Sequence, residues 1–175
     1  MVVPIRPATR GEAPFLSDLA LRSKAHWGYS REFIEACRDE LTYSDEQIGN
    51  AASSFAVAEV AGAVAGFCIL ELLSDAEFEL AALFVDPDWI GRGIGRALLD
   101  YARRTTAECG AHTLVVQADP HALDFYVAAG AVVTGERESG SIPGRYLPIL
   151  CLRVNDRRWP RPSTRGHSNR PSRPR

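Results

Sequence analysis

Residues 89–99 read WIGRGIGRALL and place three glycines between a strand-like and a helix-like segment. Glycine inside a helix costs roughly 1 kcal/mol relative to alanine, so this stretch has another use for bare backbone. A strand, a glycine turn and a helix start together present unpaired backbone N–H groups and the positive end of the helix dipole. Such a turn binds anions, and Arg92 and Arg96 add donors that suit phosphate. The stretch therefore predicts a phosphate site where a helix begins, near Gly93.

Two common nucleotide-binding motifs do not fit this glycine turn. The Rossmann fingerprint needs GxGxxG in the first βαβ unit, with an acidic residue at the end of the next strand. Here the turn falls in mid-chain with GxGxG spacing. A P-loop needs Gly-Lys followed by Ser or Thr, and the sequence does not continue in that way. The glycines alone would also suit an ordinary tight connection between a strand and a helix, so the rest of the chain must decide.

Strand-like and helix-like segments alternate over residues 2–154, which predicts one domain of mixed α/β architecture. Alternating or continuous apolar runs predict strands over residues 2–8, 54–60, 62–73, 77–86, 112–119, 131–138 and 146–154. Helical spacing of apolar residues predicts helices over residues 10–27, 31–42, 94–110 and 120–131. We expect Thr9 and Ser30 to cap the first two helices, and Asp119-Pro120 to open the last one.

The formal net charge of −2 hides an asymmetry along the chain. Residues 1–154 contain 13 Lys and Arg against 21 Asp and Glu, whereas residues 155–175 contain seven Arg against one Asp. The C-terminal segment is rich in Arg, Pro and Ser, and such a composition predicts a disordered tail over residues 155–175. Its arginines are not interleaved with aromatic residues, so we favour a solvated terminus over a nucleic-acid-binding one.

The four cysteines are widely spaced, and each lies in an apolar segment: Cys37, Cys68, Cys109 and Cys151. We expect four buried free thiols and no metal site, which suits a reducing, cytoplasmic compartment. The N-terminal residues lack the apolar stretch of a signal peptide. The longest uncharged interior stretch, residues 60–70, is too short to span a bilayer, so no membrane association is expected.

Two stretches together resemble the GCN5-related N-acetyltransferase (GNAT) superfamily. The first, LAALFVDPDWIGRGIGRALLDYA, is similar to the acyl-coenzyme A motif Gln/Arg-x-x-Gly-x-Gly/Ala, with Gly93 and Gly95 on the motif glycines. Ile90 stands where the family prefers Gln or Arg. That departure matters little, because the pyrophosphate contacts that the motif implies are mostly backbone N–H groups. The second stretch, DPHALDFYVAAGA, is similar to the family's Asn-x-x-Ala-x-x-Phe-Tyr-x-x-x-Gly-Phe helix, with Asp119 in place of Asn and Ala131 in place of Phe.

The resemblance covers residues 2–154 and implies a central mixed, mostly antiparallel sheet, splayed at a cofactor cleft and flanked by helices. It implies acetyl-CoA as co-substrate and no metal. The cofactor-binding positions that it implies are backbone groups of Leu83, Phe84 and Val85 on the strand, those of Gly91, Arg92, Gly93, Ile94, Gly95 and Arg96 at the turn, and the Asp119 side chain beside the pantetheine arm.

Acyl transfer to an amine needs a general base near the amine and donors for the oxyanion. Counting back from Gly93 places Glu79 on the position of the catalytic glutamate in histone-acetylating members of the family. Glu77 lies two residues earlier on the same strand face, so either carboxylate, or a water beside one of them, would serve as the base. The resemblance implies Tyr126 as the acid that protonates the departing sulfur.

The resemblance implies that the acceptor is a primary amine on a small molecule or a protein, and the sequence leaves its identity open. In this fold the first two helices and the last hairpin roof the acceptor pocket, so we expect His26, Trp27, Tyr29 and Arg145 to line it. An alternative function is a non-catalytic module that binds or senses acyl-coenzyme A. Both a monomer and a homodimer agree with the sequence.

Overall fold

The computed structural model describes residues 3–154, so the predicted disordered tail over residues 155–175 lies outside the described residues. The chain forms strands and helices in this order: β1 (Ile5–Pro7), α1 (Ala13–Ala25), α2 (Arg31–Ala36), α3 (Asp45–Ile48), β2 (Ser53–Val60), β3 (Ala63–Ser74), β4 (Glu77–Val85), α4 (Ile94–Glu108), β5 (Thr113–Gln117), α5 (Leu123–Ala128), β6 (Val132–Glu138) and β7 (Tyr146–Arg153). Short 3-10 turns, Pro87–Trp89 and Pro120–Ala122, precede α4 and α5.

All seven predicted strands are present, and the helices differ from the prediction at their ends. Thr9 does not cap α1: Glu12 occupies that position, and its carboxylate accepts hydrogen bonds from the Thr9 N–H and hydroxyl. Ser30 caps α2 as predicted, by accepting a hydrogen bond from the Phe33 N–H. The sequence reading missed α3, a single turn whose capping box is formed by Ser44 and Gln47.

The strands form one seven-stranded sheet in the order β1-β2-β3-β4-β5-β7-β6. Every neighbouring pair is antiparallel except β4 and β5, which are parallel. This confirms the predicted mixed, mostly antiparallel sheet. The parallel pair is joined through α4, as a parallel connection requires a long crossover.

Helices cover both faces of the sheet, and each face has its own apolar cluster. In β2, Phe55 and Val57 point toward α1, whereas Ala56 and Ala58 point toward α4, because successive side chains of a strand face opposite ways. On α4 the buried residues recur at helical spacing, namely Ile94, Leu98, Leu99, Ala102 and Thr106. The sheet is therefore a buried middle layer between two sets of helices.

The strand β4 pairs with β3 along its length but loses its second partner, β5, after its third residue. Its first three residues, Glu77 to Glu79, pair with β5, and the pairing ends there although both strands continue. Just beyond this point, Leu80 and Ala82 lie opposite adjacent residues of β3, so that Ala81 is an extra residue in a β-bulge. A bulge bends its strand and increases the local twist. The predicted splay between the two strands is therefore present.

The prediction that all four cysteines are buried is wrong for Cys109. Cys37 and Cys68 are buried and Cys151 is half-buried, but Cys109 is exposed because it follows the last turn of α4 at the surface. All four are free thiols. Within residues 3–154 no helix is both long enough and apolar enough to cross a membrane.

Candidate active site

The splay opens a cleft along the second half of β4. Residues 83–85 pair with β3 on one side and have no strand partner on the other. Because backbone groups alternate in direction along a strand, every second N–H of this segment points into the cleft. The side chains of Leu83 and Val85 pack on the α4 side of the sheet, and that of Phe84 on the α1 side. The cleft wall is thus backbone without a strand partner on this side, held by half-buried side chains.

The glycine turn closes one end of the cleft. Gly91 and Gly93 have φ of 78° and 84°, in the left-handed region that favours glycine, and a Cβ atom at either position would meet open space. Gly93 is the N-cap of α4, as predicted. The first helical bond runs from the Ala97 N–H to the Gly93 oxygen at 3.0 Å, so the N–H groups of Ile94 and Gly95 precede the helical ladder. The turn therefore has the conformation and the donors of an anion site.

Cationic side chains flank the turn, as the sequence predicts. The Arg92 guanidinium lies 4.9 Å from the ring centroid of Trp89, and the Arg96 Nε lies 3.3 Å from an Asp100 oxygen. Burial raises the pKa of Asp100, and the neighbouring arginines partly offset this rise. Both arginines sit beside the positive end of α4, where an anionic ligand would be stabilised.

An ion pair that the sequence reading missed anchors the turn to α1. The Arg22 Nη1 lies 2.7 Å from an oxygen of Asp86, a residue that also caps the following 3-10 turn by accepting the Asp88 N–H. Hydrogen bonds to Asp18 and Asp86 raise the pKa of Arg22. In the sequence, the Asp86-Pro87 step after β4 indicates the capped turn but not the ion pair, because Arg22 lies 64 residues earlier in the chain.

Glu79 is the last residue of β4 that pairs with β5, and its carboxylate forms an ion pair with Arg137 of β6. Arg137 also donates to the Gln117 side-chain oxygen at 3.1 and 3.2 Å, and Gln117 donates back to the Arg137 carbonyl at 3.0 Å. The side chain of Glu79 is 14% exposed. The sequence reading missed Arg137 and Gln117, which hold this carboxylate at the point where the cleft opens.

Tyr126 is buried in the cluster on the α4 side, with its ring 5.0 Å from that of Phe125 in an edge contact. Burial, with a smaller contribution from Cys68, raises the pKa of the Tyr126 hydroxyl. The group therefore carries its proton at neutral pH. The 3-10 turn at Asp119-Pro120 sets the start of α5 and hence the position of this side chain.

On the β5 side of the cleft, across the splay from β4, Asp119 joins three segments of the chain. The Tyr29 hydroxyl donates to Asp119, with 2.9 Å to each oxygen, and accepts a hydrogen bond of 2.8 Å from Arg145. Lys24 and Arg145 lie 3.4 and 3.6 Å from the same carboxylate. Burial and the Asp119 charge raise the pKa of Tyr29 to about 12. Burial raises the pKa of Asp119, but hydrogen bonds from His121 and Tyr29 and the two cations outweigh it, and the net shift is downward.

Aromatic rings extend from this group. Tyr29 stacks on Phe33 at 4.2 Å, and His121 contacts both Tyr29 and Trp27. His26 meets Trp27 edge-on at 5.2 Å. The structure thus brings together Tyr29, Arg145 and Asp119, three residues that sequence reasoning selected. It adds Lys24, Phe33 and His121, which nothing in the sequence beyond their residue types would have indicated.

The fold and this cleft define the class of protein. A sequence model of the acetyltransferase (GNAT) domain matches residues 16–141, and the chain belongs to this family. Peptidyl-lysine N-acetyltransferase YjaB of Salmonella typhimurium (strain LT2) is 39% identical over 71 residues, which are 41% of this chain and 47% of that protein. The match therefore spans about half the length of this curated relative.

Solved structures of the family share the fold. A GCN5-related N-acetyltransferase from Rhodopseudomonas palustris has a TM-score of 0.72 and 22% identity, and the match covers 87% of this chain and 96% of that one. The PaiA N-acetyltransferase from Thermoplasma acidophilum, in complex with coenzyme A, has the same TM-score and identity, with 87% and 99% covered. Among residues 3–154, no three His, Cys, Asp or Glu side chains are grouped so that they could hold a metal ion.

Proposed function

We propose that the protein is an N-acetyltransferase that moves an acetyl group from acetyl-CoA to a primary amine by direct attack. The observation that carries the proposal is the part of β4 that follows Glu79, which has no strand partner on its β5 side and leads to the glycine turn. A carboxylate lies at one end of this wall and an anion site at the other. An amine, a thioester and a pyrophosphate need these groups in that order along one cleft.

The residues present fit coenzyme A. Backbone N–H groups of residues 83–85 would hold the pantetheine arm and donate to the carbonyl oxygen, as an oxyanion site requires. The turn from Gly91 to Arg96 would hold the pyrophosphate, because left-handed glycines leave its backbone uncovered. Acetyl-CoA, when bound, supplies the thioester carbon that the amine attacks.

We assign the general base to Glu79 rather than Glu77. Glu79 lies where β4 and β5 separate and the cleft begins. Glu77 lies two residues earlier, at the start of the segment paired with β5 and about 7 Å away along the strand. The ion pair with Arg137 fixes the orientation of the Glu79 carboxylate. A fixed carboxylate can receive the amine proton directly or through one water molecule.

We assign the general acid to Tyr126, as the resemblance implies, and like any tyrosine it holds a proton at neutral pH. Asp119 was predicted to contact the pantetheine arm; its carboxylate is engaged by Tyr29, Lys24 and Arg145, so we place it on the acceptor side of the cleft. His26, Trp27, Tyr29 and Arg145 remain our candidates for the acceptor pocket. The YjaB proteins carry the name peptidyl-lysine N-acetyltransferase, and a protein lysine is one candidate acceptor for this chain.

The test is release of free thiol from acetyl-CoA by the full chain, over a panel of amines: free lysine, a lysine-containing peptide with blocked ends, a polyamine and short amino acids. We expect thiol release that depends on the amine and is lost in Glu79→Gln. A reaction without any amine corrects for hydrolysis. Binding of coenzyme A with no turnover on any amine would contradict the catalytic proposal and favour the alternative of a non-catalytic acyl-coenzyme A module.

A further inference from the structure

Two cations share one carboxylate at the acceptor end of the cleft. Lys24 and Arg145 lie 3.4 and 3.6 Å from Asp119, and the side chains of the three residues are only 16%, 20% and 23% exposed. The same carboxylate accepts hydrogen bonds from the Tyr29 hydroxyl and the His121 N–H. A largely buried positive charge is costly unless it is paired. This group therefore has one positive charge more than its single carboxylate neutralises.

Three carboxylates that contact the β6–β7 hairpin around Arg145 bind groups other than Lys24 and Arg145. Glu138 accepts the Gly144 N–H at 2.7 Å, and Glu40 accepts the Ser141 hydroxyl. Glu79 is paired with Arg137. None of these three contacts is with Lys24 or Arg145, and the carboxylate with which both cations pair is that of Asp119.

The two cations are held in place by aromatic rings. Lys24 Nζ lies 5.6 and 5.8 Å from the centroids of Tyr29 and Phe33, and the Arg145 guanidinium carbon lies 5.3 and 4.8 Å from the same rings. Cations at this distance from a ring are attracted to it. Ordering of both side chains before a ligand binds lowers the entropy lost on binding. Asp119 follows the end of β5, so the group faces β4 across the splay.

We propose that Lys24 and Arg145 form a subsite for a carboxylate carried by one of the two reactants. The proposal rests on the function proposed above and narrows its substrate class. If the acceptor carries the carboxylate, it is an amino acid-like compound whose amine reaches Glu79 while its carboxylate reaches the cations. If the acyl donor carries it, the preferred acyl group is that of a dicarboxylic acid. Arg145 uses one of its five N–H donors on Tyr29, which leaves donors for a carboxylate.

The first experiment compares matched reactants on the wild-type protein. Acceptors are ω-amino acids of increasing chain length and the corresponding amides, each with acetyl-CoA. We expect kcat/KM for the best acid to exceed that of its amide by about 10- to 100-fold, since a hydrogen bond to a charged group contributes roughly that much. The second arm compares succinyl-CoA with acetyl-CoA on the amides. A preference confined to this arm assigns the subsite to the acyl group.

Variants connect the preference to the two cations. Arg145→Gln and Lys24→Gln should each bring the acid-to-amide ratio, or the succinyl-to-acetyl ratio, toward one, while Arg145→Lys keeps most of it. Arg38→Gln is the matched control, because Arg38 is exposed and paired only with Glu35 on α2, and it should leave both ratios unchanged. Melting temperatures identify variants that are misfolded. The acid-to-amide and succinyl-to-acetyl ratios of the wild-type protein test the proposal without any variant.

Binding measurements separate failure of the subsite from failure of the proposed function. Calorimetric titration of the protein with N-acetylated ω-amino acids, their amides and succinate needs no turnover. If the acceptor carries the carboxylate, the acids should bind more tightly than their amides. If the acyl group carries it, succinate should bind. Either result supports the subsite, even if no amine is acetylated, provided that both Gln variants weaken the binding. Equal rates and equal affinities for charged and neutral compounds, or a preference that survives in both Gln variants, would overturn it.

Discussion

The two ends of the cleft are built from different parts of the polypeptide. At the phosphate end, the donors are backbone N–H groups from a single run, residues 91–96, held by left-handed glycines. At the acceptor end, the groups are side chains from α1, the α1–α2 connection, the end of β5 and the β6–β7 connection, with Lys24 and Asp119 separated by 95 positions. Backbone donors persist when side chains change, as Ile90 illustrates, whereas the acceptor end depends on a particular set of residues.

The difference suggests a division of roles. The phosphate end would recognise a group common to every acyl-coenzyme A, so a backbone site suffices. The acceptor end would recognise what is particular to this protein's substrate, so charged and aromatic side chains are needed there. Glu79 and Arg137 lie where β4 and β5 separate, at the closed end of the splay, where the proposed chemistry takes place.

The largest expected effect comes from the Glu79 carboxylate, which lies where β4 and β5 separate. Glu79→Gln should lower kcat/KM by about 10²- to 10⁴-fold, because a positioned base typically contributes that much. Glu77→Gln is the matched control on the same strand face and should stay within a few-fold of wild type. Steady-state kinetics of the two variants decides the assignment. Equal losses in both, or none in either, would contradict the role given to Glu79.

Tyr126→Phe should reduce kcat by about 10²-fold and leave KM for acetyl-CoA near its wild-type value. We place the expected loss in kcat at the low end of the range typical of general acid catalysis, because a thiol, with a pKa near 8.5, leaves without a strong acid. The change removes only a hydroxyl from a buried ring, so the melting temperature serves as the control. Turnover at the wild-type rate, when chemistry limits it, would show that Tyr126 is only a packing residue.

Gly93→Val tests the backbone end. A β-branched residue in the left-handed region costs about 1–2 kcal/mol, and relief of that strain would move the donors of the turn. Coenzyme A affinity measured by calorimetry should fall by about tenfold. Gly110→Val is the matched control, since Gly110 has φ of 83°, meets open space and lies beyond the opposite end of α4. Both variants should lose similar stability. An unchanged affinity in Gly93→Val would argue against the phosphate site.

The smallest effect concerns stability at the acceptor end. Tyr29→Phe should lower the free energy of unfolding by about 0.5–1.5 kcal/mol at pH 8, through loss of the hydrogen bonds to Asp119 and Arg145. Because the fold raises the pKa of Tyr29 to about 12, this contribution is complete below pH 10 and is lost as the pH rises toward 12. The difference between wild type and Tyr29→Phe should therefore shrink between pH 8 and pH 11 in urea unfolding. Tyr146→Phe, at an exposed tyrosine, should differ from wild type at neither pH.

Much of the fold could be predicted from local pattern. Period-two alternation in β2 and helical spacing in α4 specify which faces are buried, and the glycines at 91 and 93 specify a left-handed turn at a helix start. The errors fell where local pattern is weak. A one-turn helix such as α3 has no apolar face to read, and Glu12 displaced Thr9 at the cap of α1, where it also pairs with Arg6. Cys109 is exposed because a helix end, not its apolar neighbours, decides its burial.

The sequence by itself determined the alternation of strands and helices, the left-handed glycine turn and the family, because each depends on residues close together in the chain. Only the tertiary structure decided where β4 leaves β5, that Arg137 holds Glu79, and that Lys24 and Arg145 share Asp119. These contacts join segments separated by 26 to 95 residues. The energy of a charge depends on the distance and burial of its partners, and folding alone sets those quantities.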